Sequence, residues 1–210
     1  MIDVLLADDH VMLREGICAR FESSPDIRIA AEAGSTRDIL KFLRAAKFHV
    51  ILLDIKLADG SGMSIIRKIR RLQPKLRIIM LTMYDHPQYA IQALKKGAHG
   101  YVVKGAPVEE LMSAIRAVVE GRRFISPVMA DKLEGVMKEG CRKGALGSLS
   151  HREFEVLTHI ASGLSVKEVA KQIGVSQKTV TTYRTRLMEK LNLANNAEIV
   201  RYALDALLID

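Results

Sequence analysis

The chain is poor in the residues that staple small proteins together: among 210 residues there are two cysteines, no tryptophan and five prolines. Cys18 and Cys141 are too few for a disulfide framework or a four-cysteine metal site, and both read as reduced thiols. No uninterrupted apolar run approaches the roughly 18 residues that span a bilayer. Residues 2–9 lack the basic start and cleavage pattern of a secretion signal. A soluble, cytoplasmic protein with no membrane partner is expected. Internal repeats and low-complexity tracts are missing too. So are glycine-rich phosphate loops, because Ala7-Asp8-Asp9-His10 stands where a dinucleotide fold needs glycines and no G-x-x-x-x-G-K-[ST] occurs. The histidines His10, His49, His86, His99, His151 and His159 show no metal-ligand spacing and read as surface or packing residues.

What is present is enough for two cores. Hydrophobic residues make up 49% and charged residues 27%, and the length suits two small domains better than one large one. Lysine and arginine outnumber acids by 32 to 24, a net +8 that suits a polyanionic partner. Residues 1–121 hold 18 bases and 14 acids, residues 122–210 hold 14 and 10, so net charge does not say which part meets that partner. Residues 176–191 say more, with Lys178, Arg184, Arg186 and Lys190 against Glu189 alone.

Short β-branched or leucine-rich runs at 2–7, 27–33, 50–53, 78–81 and 101–103 alternate with amphipathic stretches at 11–23, 36–46, 62–73, 87–96 and 108–120. This β/α alternation predicts a doubly wound, flavodoxin-like α/β domain with a five-stranded parallel sheet, over residues 1–121. Residues 122–147 read as a linker with a short helix from Ser126-Pro127 to about Met137, then a flexible joint rich in glycine and lysine. Residues 148–210 contain no strand pattern. Two capping boxes, Ser150…Glu153 and Ser165…Glu168, open two helices, and Gly174-Val175 separates the second from a third capped by Ser176. With a fourth helix from Asn195 or Asn196, this is an all-α four-helix domain containing a helix-turn-helix.

If the strand order is 2-1-3-4-5, the carboxyl ends of the strands bring Asp8, Asp9, Asp54, Thr82 and Lys104 to one crevice. Three carboxylates in one place repel one another unless a cation offsets them, and a hard ion with oxygen ligands, Mg²⁺ before Ca²⁺, suits a site that also handles phosphate. Asp54 is then a candidate nucleophile for a phosphoryl group, with Thr82 and Lys104 holding the other phosphoryl oxygens. A turnover phosphatase using Asp54 would need a second acid two residues on, where this chain has Lys56.

In its Asp8-Asp9 pair, Ile51-Leu52-Leu53-Asp54-Ile55-Lys56, Met80-Leu81-Thr82 and Gly100-Tyr101-Val102-Val103-Lys104, the first domain resembles the receiver domain of two-component response regulators. The resemblance implies phosphorylation of Asp54 by a sensor histidine kinase and Mg²⁺ held by Asp8, Asp9, Asp54 and the backbone carbonyl of Lys56. It also implies a switch formed by Thr82 and Tyr101. Two features stand out: Ala58 occupies the place where the family usually has proline, and Lys56 and Tyr84 stand two residues beyond Asp54 and Thr82, where the family tunes phosphate lifetime.

On the helix from Ser176, Val180, Tyr183, Leu187 and Leu191 form an apolar stripe. Gln177, Lys178, Thr181, Thr182 and Thr185 point outward, flanked by Arg184 and Arg186, a set able to read base edges and grip phosphates. The runs Leu149–Leu157, 160–165, 167–170 and Ser176-Gln177-Lys178-Thr179-Val180 resemble the LuxR-type helix-turn-helix of the NarL/FixJ subfamily of response regulators. The resemblance implies binding of paired promoter half-sites on double-stranded DNA as a homodimer, with Thr179 in the DNA-binding set. It points to the Ile199/Leu204/Leu208 face as either a dimer contact or internal packing. The whole chain thus reads as a transcriptional regulator that accepts phosphate and is not a turnover enzyme.

Overall fold

The computed structural model describes residues 1–139, 148–205 and Leu208. Most of the joint read from the sequence, with Cys141, lies outside the described residues, as does Leu207. The chain divides into two compact units, Met1–Leu133 and Glu134–Asp210.

The first unit is built on strands β1 (Ile2–Ala7), β2 (Ile27–Ala33), β3 (Val50–Leu53), β6 (Arg77–Thr82), β7 (Gly100–Val103) and β8 (Phe124–Ile125). They form one sheet in the order β2-β1-β3-β6-β7-β8, with every pairing parallel. The sheet therefore has six strands where the sequence predicts five. The sixth is two residues long, too short for any periodicity to announce, and it forms by pairing Phe124 and Ile125 with Gly100 and Tyr101 at the sheet edge. A second pair, β4 (Lys56–Leu57) and β5 (Gly60–Ser61), makes a small antiparallel ribbon just after β3.

Five helices connect the strands: α1 (Val11–Phe21), α2 (Thr36–Ala45), α3 (Gly62–Leu72), α4 (Pro87–Lys96) and α5 (Val108–Val119). Because side chains alternate across a strand, each central strand feeds two cores. Val4, Leu6, Val50, Leu52, Ile79, Leu81 and Val102 bury against Phe21 of α1 and Leu111, Ala114, Ile115 and Val118 of α5. Their neighbours Leu5, Ile51, Leu53, Ile78 and Met80 are equally buried on the other face. Strand progression reverses between β1 and β3, and in open parallel sheets the crevice beyond the carboxyl ends at such a point is where ligands sit.

Helix α6 (Pro127–Glu139) follows β8 and contains the division between the units. In the second unit come α7 (His151–Ala161), α8 (Val166–Ile173), α9 (Gln177–Leu191) and α10 (Asn196–Asp205). Both capping boxes form as the sequence predicts: Ser150 and Ser165 accept the backbone N–H of Glu153 and Glu168, and each glutamate returns to the serine's own N–H. Helix α8 ends at Gly174 in the left-handed conformation, φ 67°, which glycine adopts without steric cost. Two residues later Ser176 caps α9 by accepting the N–H of Thr179. Val169, Ala170 and Ile173 of α8 pack with Val180, Leu187 and Leu191 of α9 into the second core, where Phe154, Leu157 and Ile199 are also buried.

Candidate functional site

Hydrogen bonds that continue the sheet ladder past the strand ends set the first site. Asp8 N–H donates to the Ala33 carbonyl and Asp54 N–H to the Ala7 carbonyl, both at 2.9 Å, and Lys104 N–H to the Thr82 carbonyl at 2.8 Å. Asp8, Asp54, Thr82 and Lys104 are thus held at the ends of four neighbouring strands, and their side chains meet. The Lys104 ammonium lies 2.7 Å from Asp8 Oδ2 and 2.6 Å from Asp54 Oδ2. All three side chains are at most 5% exposed.

The electrostatics follow from this burial. Desolvation pushes the Asp54 carboxyl above the usual carboxylate range, and the Lys104 bond only partly opposes it. Burial alone would lower the Lys104 ammonium, but the bonds to Asp54 and Asp8 outweigh it and raise it. Lys104 is accordingly a fixed cation serving two carboxylates. The Thr82 hydroxyl is fully buried, close enough to Asp54 to favour its charged form, and makes no well-formed hydrogen bond of its own.

Asp9 and His10 complete the cluster. His10 Nδ1 lies 3.0 Å from Asp8 Oδ1 and 2.9 Å from Asp9 Oδ1, and together with Asp54 these groups offer ligand atoms within 4.8 Å of one another. Three carboxylates against one lysine leave a surplus of negative charge, with Asp9 the most exposed of the three. A hard cation would offset that surplus. Sequence reasoning found the three aspartates but not His10. Its extended N-cap backbone before α1, φ −88° and ψ 104°, accompanies the imidazole's return onto the acid pair, and no spacing rule carries that signal.

Lys56, two residues beyond Asp54, is exposed on the β4–β5 ribbon. Tyr101 is fully buried, and its hydroxyl donates to the Tyr84 carbonyl at 2.6 Å, which joins β7 to the loop after Thr82. Gly62 closes the ribbon with an N–H bond to the Ile55 carbonyl at 2.8 Å. A Cβ on Gly62 would stand 2.0 Å from the Asp54 carbonyl oxygen. Gly62→Ala is therefore expected to cost about 1–3 kcal/mol, read as a lower urea midpoint. An unchanged midpoint would show that the loop yields freely.

In the second unit, α9 presents a polar outer face. Gln177, Lys178, Thr181, Thr182, Thr185 and Arg186 are exposed, whereas Thr179 and Arg184 are half-buried. Thr179 shares a hydrogen bond with the Ser176 hydroxyl at 2.8 Å, and Arg184 Nε donates to Asn196 Oδ1 at 2.8 Å. Lys178, Thr181, Thr182, Thr185 and Arg186 line one shallow depression together with Glu189. The hydroxyls of Thr181, Thr182 and Thr185 donate to carbonyls four residues back, at 3.0, 3.0 and 3.1 Å, so methyl groups and acceptor lone pairs are what they offer outward. On α10, Ile199 is buried and Leu204 is 45% exposed.

Comparison with known proteins bears on both units. Residues 4–116 match the response regulator receiver domain, and residues 147–203 match the luxR family of bacterial regulatory proteins. The response regulator UvrY of Escherichia coli K12 is 34% identical over 205 residues, covering 97% of this chain and 94% of that protein. The response regulator GacA of Pseudomonas aeruginosa is 33% identical over 211 residues, covering 100% and 99%. Among solved structures, RcsB from Salmonella enterica serovar Typhimurium, bound to promoter rprA in the presence of the phosphomimetic BeF3-, superposes with a TM-score of 0.69 at 27% identity, covering 96% of this chain and 97% of that one. No helix among the described residues is long and apolar enough to cross a membrane.

Proposed function

The chain belongs to the response regulator family, a receiver domain followed by a LuxR-type DNA-binding domain, and we propose on that premise that phosphorylation of Asp54 governs its grip on promoter DNA. It is a transcriptional response regulator whose partners are a sensor histidine kinase and double-stranded DNA. The observation that carries the assignment of Asp54 is the Lys104 ammonium held between Asp54 and Asp8, beside the buried Thr82 hydroxyl. We propose residues 1–121 as the receiver, 122–147 as a linker whose first residues add strand β8 to the receiver's sheet, and 148–210 as the DNA-binding domain.

In the transfer step an Asp54 carboxylate oxygen attacks the phosphorus of the kinase's phosphohistidine. A P–O bond forms, the P–N bond breaks, and the freed imidazole takes up a proton. Lys104 and Thr82 are the protein's own donors for the equatorial oxygens, where preorganised groups act most on a phosphoryl transition state. The donor set fits Mg²⁺: Asp8, Asp9 and Asp54, with the Lys56 carbonyl, would hold it. When bound it supplies charge neutralisation for the transferred group. Thr82 turning toward the phosphoryl group would disturb the loop that accepts the Tyr101 hydroxyl, and so couple the two residues as a switch. Hydrolysis of the acyl phosphate at the same site would reset the protein, with no external substrate turned over. The cytoplasm, where the DNA is, is its expected compartment.

The DNA-binding set is Gln177, Lys178, Thr179, Thr181, Thr182, Arg184, Thr185 and Arg186. RcsB, a structural neighbour, is described as dimers bound to DNA, and we infer a homodimer on paired half-sites here, with Leu204 and Leu208 at the contact. Lys178→Ala and Thr182→Ala are expected to relax base preference. Arg186→Ala is expected to weaken binding to all sequences and to lower the salt slope by about one unit for one phosphate contact. Titrations at several salt concentrations on specific and random duplexes separate the two; equal losses on both duplexes for Lys178 and Thr182 would remove them from base readout. Genome-wide footprinting with and without phosphorylation tests the reading as a whole: new paired sites should be occupied on phosphorylation, and identical footprints would reject it.

A further inference from the structure

The ribbon after Asp54 is held by contacts that neither the acidic cluster nor α9 uses. β4 and β5 pair only Lys56 with Ser61 and Leu57 with Gly60, and so short a ribbon does not hold itself together in water. Two ties to the start of α2 anchor it. The Ala58 N–H donates to the Gly34 carbonyl at 3.3 Å, a bond that proline at this position could not make. The Asp59 carboxylate accepts the Thr36 N–H at 2.6 Å, the Thr36 hydroxyl at 2.9 Å and the Arg37 N–H at 3.1 Å.

Thr36 and Arg37 are the first residues of α2, whose leading N–H groups have no partner within the helix and whose positive end attracts a carboxylate. Ser35 takes the next one, from Asp38, at 3.1 Å. Asp59 is exposed; desolvation opposes its charge, but the bonds from Thr36 and Arg37 together outweigh it and hold the carboxyl below its ordinary range.

We propose that Asp59 is a positioning residue for the Asp54 pocket: anchored to α2, it fixes the ribbon and with it the Lys56 carbonyl offered to the divalent cation. The inference rests on the reading of the acidic cluster as a Mg²⁺ site. Asp59 touches no ligand and acts through the backbone. A proline at position 58 would stiffen this loop by fixing φ; in this chain two hydrogen-bonded ties 22 to 24 residues apart in sequence do so instead.

The test is Mg²⁺ titration calorimetry on the full-length protein and its Asp59→Ala and Asp59→Asn variants, with amide hydrogen exchange across residues 54–62. Asp59→Ala should weaken Mg²⁺ binding about tenfold, the usual scale for a residue that orients a ligand. It should speed exchange in the ribbon while β1 and β3 stay protected. Asp59→Asn keeps an acceptor at the helix start and should restore most of the affinity. If the unaltered protein does not bind Mg²⁺, the reading of the cluster fails and takes this proposal with it. If it binds and Asp59→Ala binds equally well, the proposal alone is overturned. Loss of protection in β1 and β3 as well would make Asp59 a general stability residue and would overturn it too.

Discussion

Asp54→Asn is expected to fold normally and to take up no phosphoryl group, whereas the unaltered protein treated with an acyl phosphate and Mg²⁺ gains one. The amide is nearly isosteric but lacks the anionic oxygen that attacks phosphorus, and among the described residues no other carboxylate has the same company. Asp8 shares the ammonium but also meets His10, as Asp9 does; Asp9 lies further out, half-buried. The substitution should not weaken the fold at neutral pH. Burial raises the folded-state pKa of Asp54, so its ionised form opposes folding above that pKa, and a neutral amide removes this opposition. Intact mass reads the first outcome and thermal denaturation the second. A mutant that still gains a phosphoryl group would move the acceptor elsewhere.

Removing the cation should do the opposite to stability. Lys104→Ala leaves Asp8 and Asp54, 1% and 4% exposed, without the ammonium that sits within 2.7 Å of both. Breaking a buried ion pair from one side costs about 3 kcal/mol or more, because the remaining charge is neither solvated nor compensated. Protonation of one carboxylate would relieve part of it, so the loss should shrink as pH falls through the raised pKa of Asp54. Added Mg²⁺ should restore part of the lost stability by binding the folded state alone. Denaturant unfolding at neutral and acidic pH, with and without Mg²⁺, measures each term. A variant as stable as the parent at neutral pH without Mg²⁺ would show that Lys104 does not hold the two carboxylates in place.

Much of this architecture is legible in the sequence because its determinants are local. Strands β1, β2 and β3 and helix α8 form over the residues that their apolar patterns and capping boxes predict, and the meeting of Asp8, Asp54, Thr82 and Lys104 follows once strands 1 and 3 are taken as neighbours. What escapes sequence reading depends on tertiary register. β8 exists only because Phe124 and Ile125 find the open edge of β7. His10 reads as a surface residue and is one, its side chain 63% exposed; what the sequence does not show is that the turn into α1 lays its ring against Asp8 and Asp9. Asp59 gives no signal in the sequence, since its partners Thr36 and Arg37 are brought to it only by folding. On α9 the outward positions are legible, but the sequence does not show that Arg184 is already engaged by Asn196 at the start of α10.

The most direct test of the central claim is the affinity of the full-length protein for a duplex carrying paired half-sites, measured before and after phosphorylation, beside Asp54→Asn carried through the same treatment. Phosphorylation should tighten binding of the unaltered protein to paired sites and leave Asp54→Asn where it began. An unaltered protein whose affinity does not change, or an Asp54→Asn variant that tightens to the same degree, would contradict control of DNA binding through Asp54.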